Sequence, residues 1–181
     1  MLNPNRKGRI TASAIGAILG LSPFTTRAQQ MDRMVREWQG LSSFDSNVAT
    51  EYGHKHEIHA RSKLESILME TIPEDRFYCN DWLGATPDGF TSENDNVELK
   101  CPYGLRNGGE FNSIDEQPHY YAQIQIQMYL TQRSKTHFLQ WSAHGHMHEV
   151  VAYSQEYIDK ILPILKAFYD EYLELRDKPM Q

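Results

Sequence analysis

The hydrophobic pattern of the chain changes its period near Arg76. Before that point apolar residues recur at the spacing of a helix face, and Pro73 interrupts the last of these segments. After it, the apolar runs are short and bounded by turn residues, which is typical of antiparallel strands. The first part predicts helices over 11–19, 25–39 and 47–70, the last with a buried stripe of Ala60, Leu64, Ile67 and Leu68. The second part predicts strands over 76–80, 82–85, 90–92 and 96–100.

The remainder of the chain returns to longer elements. After an irregular loop over 104–115, the pattern predicts a helix over 117–131, a hairpin of strands 136–143 and 147–153, and an amphipathic helix over 154–176. The apolar face of this last helix contains Tyr157, Ile161, Ile164, Leu165, Phe168 and Tyr172. Helices therefore precede, separate and follow the strands. This order predicts an α/β (α+β) fold with a mixed central β-sheet flanked by helices. The length of 181 residues fits a single domain over 1–181.

The charge balance argues against one class of DNA-binding protein. The net charge is −6, whereas a protein that coats DNA relies on a broad basic surface. A metal-dependent nuclease remains compatible, because such a site is itself acidic. No apolar run reaches the roughly 18 to 20 residues that span a bilayer, and residues 1–9 lack the apolar core of a signal peptide. Cys79 and Cys101 form neither a metal-ligand spacing nor a disulfide framework, so we expect a cytoplasmic protein without membrane contact.

Two short segments carry the residues with the clearest chemistry. Asp88 lies in a Thr-Pro-Asp-Gly turn, and a Glu-Leu-Lys sequence follows eight residues later. Its outer members, Glu98 and Lys100, are two apart on a predicted strand, so their side chains leave the same face. A hairpin would bring Asp88 beside Glu98, and two carboxylates with a backbone carbonyl suit Mg²⁺ or Mn²⁺. An adjacent lysine can orient water, help to deprotonate it, or stabilise charge on an attacked phosphate.

Each of these segments also has an ordinary structural explanation. A Pro-Asp-Gly turn is a common hairpin device, and Glu-x-Lys on a strand is often a pair of exposed charges. The histidines offer zinc binding as a rival centre, because His144, His146 and His148 would share one face of the predicted hairpin. A solvated strand explains that alternation more simply. His56 and His59 are one residue short of the His-Glu-x-x-His spacing.

Four segments, in order, resemble a known family. Pro-Asp at residue 88 with Glu-Leu-Lys at 98–100 is similar to the PD-(D/E)xK nuclease motif, and the stretch from about residue 6 to about residue 130 resembles the phage lambda exonuclease and YqaJ-type viral recombinase family. The other three segments contain Arg6 with Gly-Arg-Ile-Thr-Ala-Ser up to Ser13, Tyr-Gly followed by Glu57, and Tyr-Ala-Gln-Ile-Gln around Gln123. The resemblance implies a restriction-endonuclease-like PD-(D/E)xK core.

The resemblance also implies a catalytic group. Asp88 and Glu98 would ligate metal together with the carbonyl of Leu99, and Lys100 would position the attacking water. Glu57 would act through water at a second cation. On the residues alone, Glu57 could equally be a solvated side chain on its long helix.

A second group of residues would bind the substrate. By resemblance, Arg6 and Ser13 would hold the terminal 5′-phosphate, Thr86 would contact a phosphate where the family can have a serine, and Gln123 would contact the reacting region. The residues themselves leave alternatives open. Ser13 or its neighbour Thr11 could be only an N-cap, at a helix start whose amides favour anions. Gln123 could belong to a polar helix surface.

At the level of function, the resemblance implies a Mg²⁺-dependent 5′→3′ exonuclease, with Mn²⁺ able to substitute. It would degrade one strand of linear double-stranded DNA from 5′-phosphorylated ends and leave 3′ overhangs for phage-type recombination. It also implies a homotrimeric ring, a single-strand annealing protein as partner, and a phage or prophage origin in a bacterial host. Two alternatives are a structure-specific DNA endonuclease of the same fold and a non-catalytic DNA-end-binding module. An end-trimming nuclease with an iron–sulfur cluster is disfavoured, because the cluster needs four cysteines and the chain has two.

Overall fold

The computed structural model describes residues 6–41 and 47–178. Its strands are β1 (Ile10–Thr11), β2 (Tyr78–Cys79), β3 (Leu83–Ala85), β4 (Gly89–Phe90), β5 (Asn96–Lys100), β6 (Lys135–Ser142) and β7 (Gly145–Ala152). Its helices are α1 (Ile15–Ile18), α2 (Arg27–Trp38), α3 (Val48–Leu68), α4 (Pro118–Thr131) and α5 (Gln155–Leu175). Within these two ranges, no helix combines the length and apolar character needed to cross a membrane.

The strands form two mixed sheets. In the larger sheet the order is β4-β5-β6-β7, with β5 and β6 parallel and both outer pairs antiparallel. In the smaller sheet the order is β1-β3-β2, with β1 parallel and β2 antiparallel to β3. The predicted α/β (α+β) fold with mixed pairing and flanking helices is confirmed, with the strands in two mixed sheets rather than one central sheet. The chain passes from the smaller sheet to the larger one at Thr86-Pro87-Asp88, between β3 and β4.

Helices cover both faces of the larger sheet. Ala60 and Leu64 of α3 pack against Val97, Leu99 and Leu139 on one face. Ile124 and Met128 of α4 pack with Phe138 and Val151 on the other. Because side chains alternate along a strand, residues 98 and 100 of β5 point to the α4 side. The largest apolar cluster lies between the smaller sheet and helices α1, α2, α4 and α5.

Side-chain caps fix where several helices begin. Thr26 and Gln29 form a reciprocal capping box at the start of α2. The Asn47 side chain accepts from the Thr50 amide at 2.9 Å before α3, and the Ser154 hydroxyl accepts from the Tyr157 amide at 3.2 Å before α5. These starts agree with the predicted helices to within a few residues.

The predicted helix over 11–19 is wrong in its first half. Ile10 and Thr11 pair in parallel with Leu83 and Gly84 as β1, a 3₁₀ turn follows over Ala12–Ala14, and only Ile15–Ile18 is α-helical. A strand pairing some seventy positions away in the chain leaves no local periodicity to detect. The predicted strand over 90–92 is also displaced, since β4 is Gly89–Phe90.

Two predicted buried stripes are narrower than the pattern suggested. Ile67 on α3 is 38% exposed, and Ile164 on α5 is 49% exposed. Ala60 and Leu64 on α3 are fully buried, as predicted. Helical spacing gives the direction of a stripe, but the neighbouring sheet decides how much of its length is covered.

Candidate active site

Strand β5 and the turn before β4 bring the predicted acidic pair together. The Asp88 amide donates to the Val97 carbonyl at 2.9 Å, and the Leu99 amide donates to Asp88 Oδ2 at 2.7 Å. These two hydrogen bonds hold the Asp88 turn against β5 at the position of Glu98. The hairpin geometry expected from the sequence is therefore present in the structure.

The Glu98 carboxylate is the most densely bonded group of the site. It is 2% exposed, and its Oε1 accepts from Lys100 Nζ and from Gln123 Nε2, both at 2.6 Å. Its Oε2 accepts from Gln127 Nε2 at 2.7 Å. Both glutamines are buried, so the alternative of a polar helix surface is wrong. One cation and two neutral amides fix the orientation of this carboxylate.

The two other central groups have shifted pKa values. Burial and the neighbouring Glu98 charge raise the pKa of Asp88 well above its ordinary value, although Lys100 and the Leu99 amide oppose the shift. Burial lowers the pKa of Lys100, but the charges of Glu98, Tyr120 and Asp88 outweigh it and the net direction is upward. Lys100 is therefore held as a cation, with its Nζ also 5.0 Å from the centre of the Tyr120 ring. This favours an electrostatic or orienting role over removal of a proton.

Glu57 is connected to the acidic pair through an arginine. Arg61, one turn later on α3, donates to Glu57 Oε1 at 3.1 Å, to the Asp88 carbonyl at 2.7 Å and to the Ile72 carbonyl at 3.0 Å. The Arg61 side chain is 16% exposed and that of Glu57 is 39% exposed. Glu57 thus points along α3 toward the site, while Arg61 joins the helix to the backbone of the Asp88 turn.

The predicted phosphate-binding residues line one small cavity. This cavity of about 60 Å³ contains Arg6, Ser13, Thr86, Gln123 and Gln127 in its wall. Because both glutamines also bond Glu98, the cavity and the acidic pair share a wall. A larger groove of about 620 Å³ follows α2 between Phe24 and Leu41, away from these residues.

The capping explanation for the N-terminal hydroxyls is not supported. Neither Thr11 nor Ala14, which precede the 3₁₀ turn and α1, makes a side-chain cap hydrogen bond, and α1 has only four residues. The Thr11 and Ser13 hydroxyls instead lie 3.3 Å apart beside the cavity. A helix of four residues has too small a dipole for its N-terminal amides to attract an anion, so this part of the expectation is also not supported.

The donor set fits a hard divalent cation. Asp88 and Glu98 supply two adjacent carboxylates, and the Leu99 peptide lies against Asp88 through its amide. Burial first, and the Glu98 charge second, raise the pKa of Asp88, and a divalent cation between the two carboxylates would oppose both effects by stabilising their charged forms. Across residues 6–41 and 47–178, no three histidine, cysteine, aspartate or glutamate side chains form a ready metal cluster. Glu57 therefore does not join the pair directly in this structure.

Comparison with known proteins identifies the family. The sequence profile of the YqaJ-like viral recombinase domain matches residues 3–134. The chain belongs to this family. No curated protein sequence matches the chain significantly.

Several solved structures that resemble this chain are exonucleases by name. The alkaline exonuclease LHK-Exo from Laribacter hongkongensis superposes with a TM-score of 0.76 at 22% identity, covering 94% of this chain and 90% of that one. Its complex with dAMP gives a TM-score of 0.78 at the same identity and coverage. A phage-related exonuclease from Haemophilus somnus 129PT gives 0.73 at 15% identity, covering 92% and 94%. These likenesses establish the shared PD-(D/E)xK fold.

Two residues of the candidate site were not among those predicted. Arg61 had a local signal, because Glu57 and Arg61 stand at the i, i+4 spacing of helical ion pairs. Gln127 is one helical turn after Gln123, so it was visible as a neighbour but not as a partner of Glu98. In both cases the spacing along the helix identifies a neighbour on the same helix, but it does not identify the Asp88 or Glu98 group that the side chain bonds in the folded protein.

The histidine hairpin is arranged differently from a three-histidine site. His148 Nε2 lies 3.0 Å from His137 Nδ1, and His137 Nε2 lies 3.4 Å from Asp95 Oδ2. His144 and His146 are exposed. The described residues therefore bring His148 to His137 rather than to the two histidines that alternate with it.

Proposed function

We propose that this viral recombinase domain is a Mg²⁺-dependent 5′→3′ exonuclease. It degrades one strand of linear double-stranded DNA from a 5′-phosphorylated end and leaves a 3′ single-stranded overhang. One observation carries the proposal: the pair Asp88 and Glu98, with Lys100, shares a wall with the cavity of Arg6 and Ser13. That arrangement suits a scissile phosphate at the carboxylates and a neighbouring phosphate in the cavity.

The roles of the residues follow from their positions. Lys100 is a held cation, so it orients water and stabilises the negative charge that develops on the attacked phosphate. Gln123 and Gln127 keep Glu98 in one orientation while leaving its charge intact. Arg6, Ser13 and Thr86 offer one guanidinium and two hydroxyls to a phosphate, which is the donor chemistry that phosphate oxygens accept.

Asp88, Glu98 and the Leu99 carbonyl would hold the metal ion. When bound, a divalent cation polarises the phosphate and lowers the pKa of water. Glu57 would act beside it, in an orientation set by Arg61. The hard oxygen donors suit Mg²⁺, and Mn²⁺ should substitute.

Two resemblances support an exonuclease in particular. LHK-Exo, which shares the fold, is named an alkaline exonuclease and was solved with dAMP, a deoxynucleoside monophosphate. A mononucleotide is the product that an exonuclease releases. The sequence resemblance to the lambda exonuclease family further supports a homotrimeric ring, a single-strand annealing partner, and action in the cytoplasm of a phage-carrying bacterium.

Digestion of a linear duplex with one 5′-phosphorylated, labelled end tests the proposal. With Mg²⁺ the native protein should release mononucleotides from that strand, and EDTA should abolish the release. Lys100→Ala should slow release by about 100-fold or more, because a preorganised charge at the reacting phosphate is lost. Lys160→Ala is the matched control, since Lys160 is exposed on α5.

Other products would contradict specific parts of the proposal. Release from the 3′ end would reverse the polarity, and cleavage of intact circular DNA would favour the endonuclease alternative. Binding of DNA ends without any release in Mg²⁺ or Mn²⁺ would instead indicate a non-catalytic end-binding module.

A further inference from the structure

Aromatic and imidazole rings form a continuous surface beside the proposed active site. Trp141 stacks with both His56 and His59. The distance between ring centres is 5.7 Å for His56 and 5.2 Å for His59, and the angles between the ring planes are 21° and 26°. The centre of the Tyr52 ring lies 4.2 Å from the centre of the His56 ring and 5.6 Å from that of the Tyr103 ring. The arrangement joins three elements, α3, β6 and the turn after β5, through ring contacts. We call Tyr52, His56, His59, Tyr103 and Trp141 the ring platform.

The platform is open to solvent. His59 is exposed, and the other four rings are partly exposed. Aromatic rings of a folded protein are usually covered, since each can bury a large apolar area. A row of five adjoining rings, one exposed and four partly exposed, therefore indicates a surface that receives a ligand with flat faces.

The platform borders Glu57 on the α3 side of the larger sheet. His56 precedes Glu57 on α3, and Trp141, two residues after Leu139 on β6, lies on the same face of the sheet as Leu99. Trp141 also packs against the apolar cluster that contains Leu99 and, at its margin, Cys101. The platform therefore adjoins Glu57 and Cys101 on the α3 side of β5, next to the end of the strand that contains Glu98 and Lys100.

The charges near the platform suit a polyanion. The Arg106 guanidinium lies 3.9 Å from the centre of the Tyr103 ring and is exposed, so it can contact a phosphate while it stacks. Lys55 is exposed on the same helix as His56.

We propose that the ring platform binds single-stranded DNA by stacking its unpaired bases beside the active site. Flat rings next to an arginine are the means by which proteins hold single strands without sequence preference. The proposal rests on the DNA-cutting function above, but it concerns binding of bases rather than hydrolysis. It therefore predicts an affinity for bases that survives removal of metal.

The test compares two strands in EDTA, so that nothing is cut. One is a short 5′-phosphorylated oligothymidylate, and the other has the same sugar–phosphate chain without bases. Fluorescence anisotropy should show that the native protein binds the base-containing strand about 10-fold more tightly, as expected for the loss of one base stack or more. His59→Ala and Tyr103→Ala should each remove most of this preference. His54→Ala is the matched control, because His54 is an exposed histidine of α3 outside the platform.

The outcomes separate this proposal from the exonuclease proposal. Equal binding of the two strands by the native protein would overturn the platform without any need for a variant. An unchanged preference in the two platform variants would also overturn it, and a changed oligomeric state with unchanged preference would assign the rings to contact between copies of the chain. A base preference in a protein that releases no nucleotide with Mg²⁺ would support the platform and refute the nuclease.

Discussion

Replacement of the two glutamines that hold Glu98 should have unequal effects on stability. Gln127 is 1% exposed, and its Nε2 bonds Glu98 while its Oε1 is buried without a hydrogen-bond donor among the described residues. A hydrogen bond to a charged group contributes about 1.5–3 kcal/mol, and an unsatisfied buried acceptor costs about 1–3 kcal/mol. Gln127→Met removes the hydrogen bond to Glu98 and also the buried oxygen that has no donor, with little change of side-chain shape. We expect the free energy of unfolding to change by less than about 1.5 kcal/mol.

Gln123 provides the comparison, because it makes the same kind of bond to Glu98. Its side-chain oxygen is not one of the buried atoms without a partner, and the residue lines the cavity with Arg6. Gln123→Met therefore loses a bond without removing an unsatisfied group, and should destabilise by about 1.5–3 kcal/mol. Gln127→Glu would place a second buried carboxylate against Glu98 and should cost about 3–5 kcal/mol.

Urea unfolding followed by tryptophan fluorescence measures all three variants on one scale. Gln127→Met should be the most stable of the three variants, Gln123→Met should be intermediate, and Gln127→Glu should be the least stable. Equal losses for the two methionine variants would refute the assignment of an unsatisfied oxygen to Gln127. A stable Gln127→Glu variant would show that Glu98 is not the buried, charged partner that the structure indicates.

Three further predictions concern groups around the site. Arg61→Ala should destabilise by about 1.5–3 kcal/mol, because the carbonyls of Ile72 and Asp88 lose charge-assisted hydrogen bonds while the partly exposed Glu57 stays solvated; urea unfolding checks this, and Arg61→Lys should recover part of the loss. Gly89→Ala should cost about 1–3 kcal/mol and slow DNA cleavage, because the new Cβ would lie 2.6 Å from a backbone oxygen beside the Asp88 turn. Gly53→Ala is its control, since a Cβ there meets no atom within 4 Å and alanine favours the helix by about 1 kcal/mol. Asp75→Asn should cost about 3 kcal/mol in thermal or urea unfolding, because Arg133, 6% exposed, loses its buried counter-charge.

The chemistry of β5 could be predicted because it depends on a local rule. Side chains alternate along any strand, so Glu98 and Lys100 share a face wherever β5 lies in the fold. The Pro-Asp-Gly turn likewise constrains its own neighbourhood and brings Asp88 back to β5. The parts of the site that lie within one hairpin were therefore accessible from the sequence.

The N-terminal strand could not be predicted in the same way. Ile10 and Thr11 take an extended conformation because Leu83 and Gly84 offer a partner strand, and the Ile10 amide donates to the Trp82 carbonyl at 2.9 Å. Two residues are too short a segment for a period of two to be detected against helical spacing. The same pairing carries Ser13 to the cavity beside Thr86, so its proximity to the acidic pair also depends on a long-range contact.

Helix α4 shows why a polar pattern can conceal a buried helix. Seven successive residues, from Ala122 to Met128, are buried, so no face of this segment is available to solvent. Its glutamines alternate with isoleucines, and each glutamine has its own partner: Gln123 and Gln127 bond Glu98, and Gln125 bonds the Ala152 carbonyl and the Ser154 amide. An analysis of periodicity assigns such polar residues to the surface, because it contains no information about the buried groups to which they are hydrogen-bonded.

Neutral amides at these positions have a consequence that charged side chains would not. Lys100 already provides one positive charge beside Glu98. A second lysine or arginine in place of Gln123 or Gln127 would compensate the remaining charge of the acidic pair and compete with a divalent cation for it. An amide donates a hydrogen bond and adds no net charge, so it fixes the carboxylate while leaving the Asp88–Glu98 pair negative. The glutamines of α4 therefore reconcile two requirements of the proposed nuclease: a rigid Glu98, and a site that still attracts a metal ion.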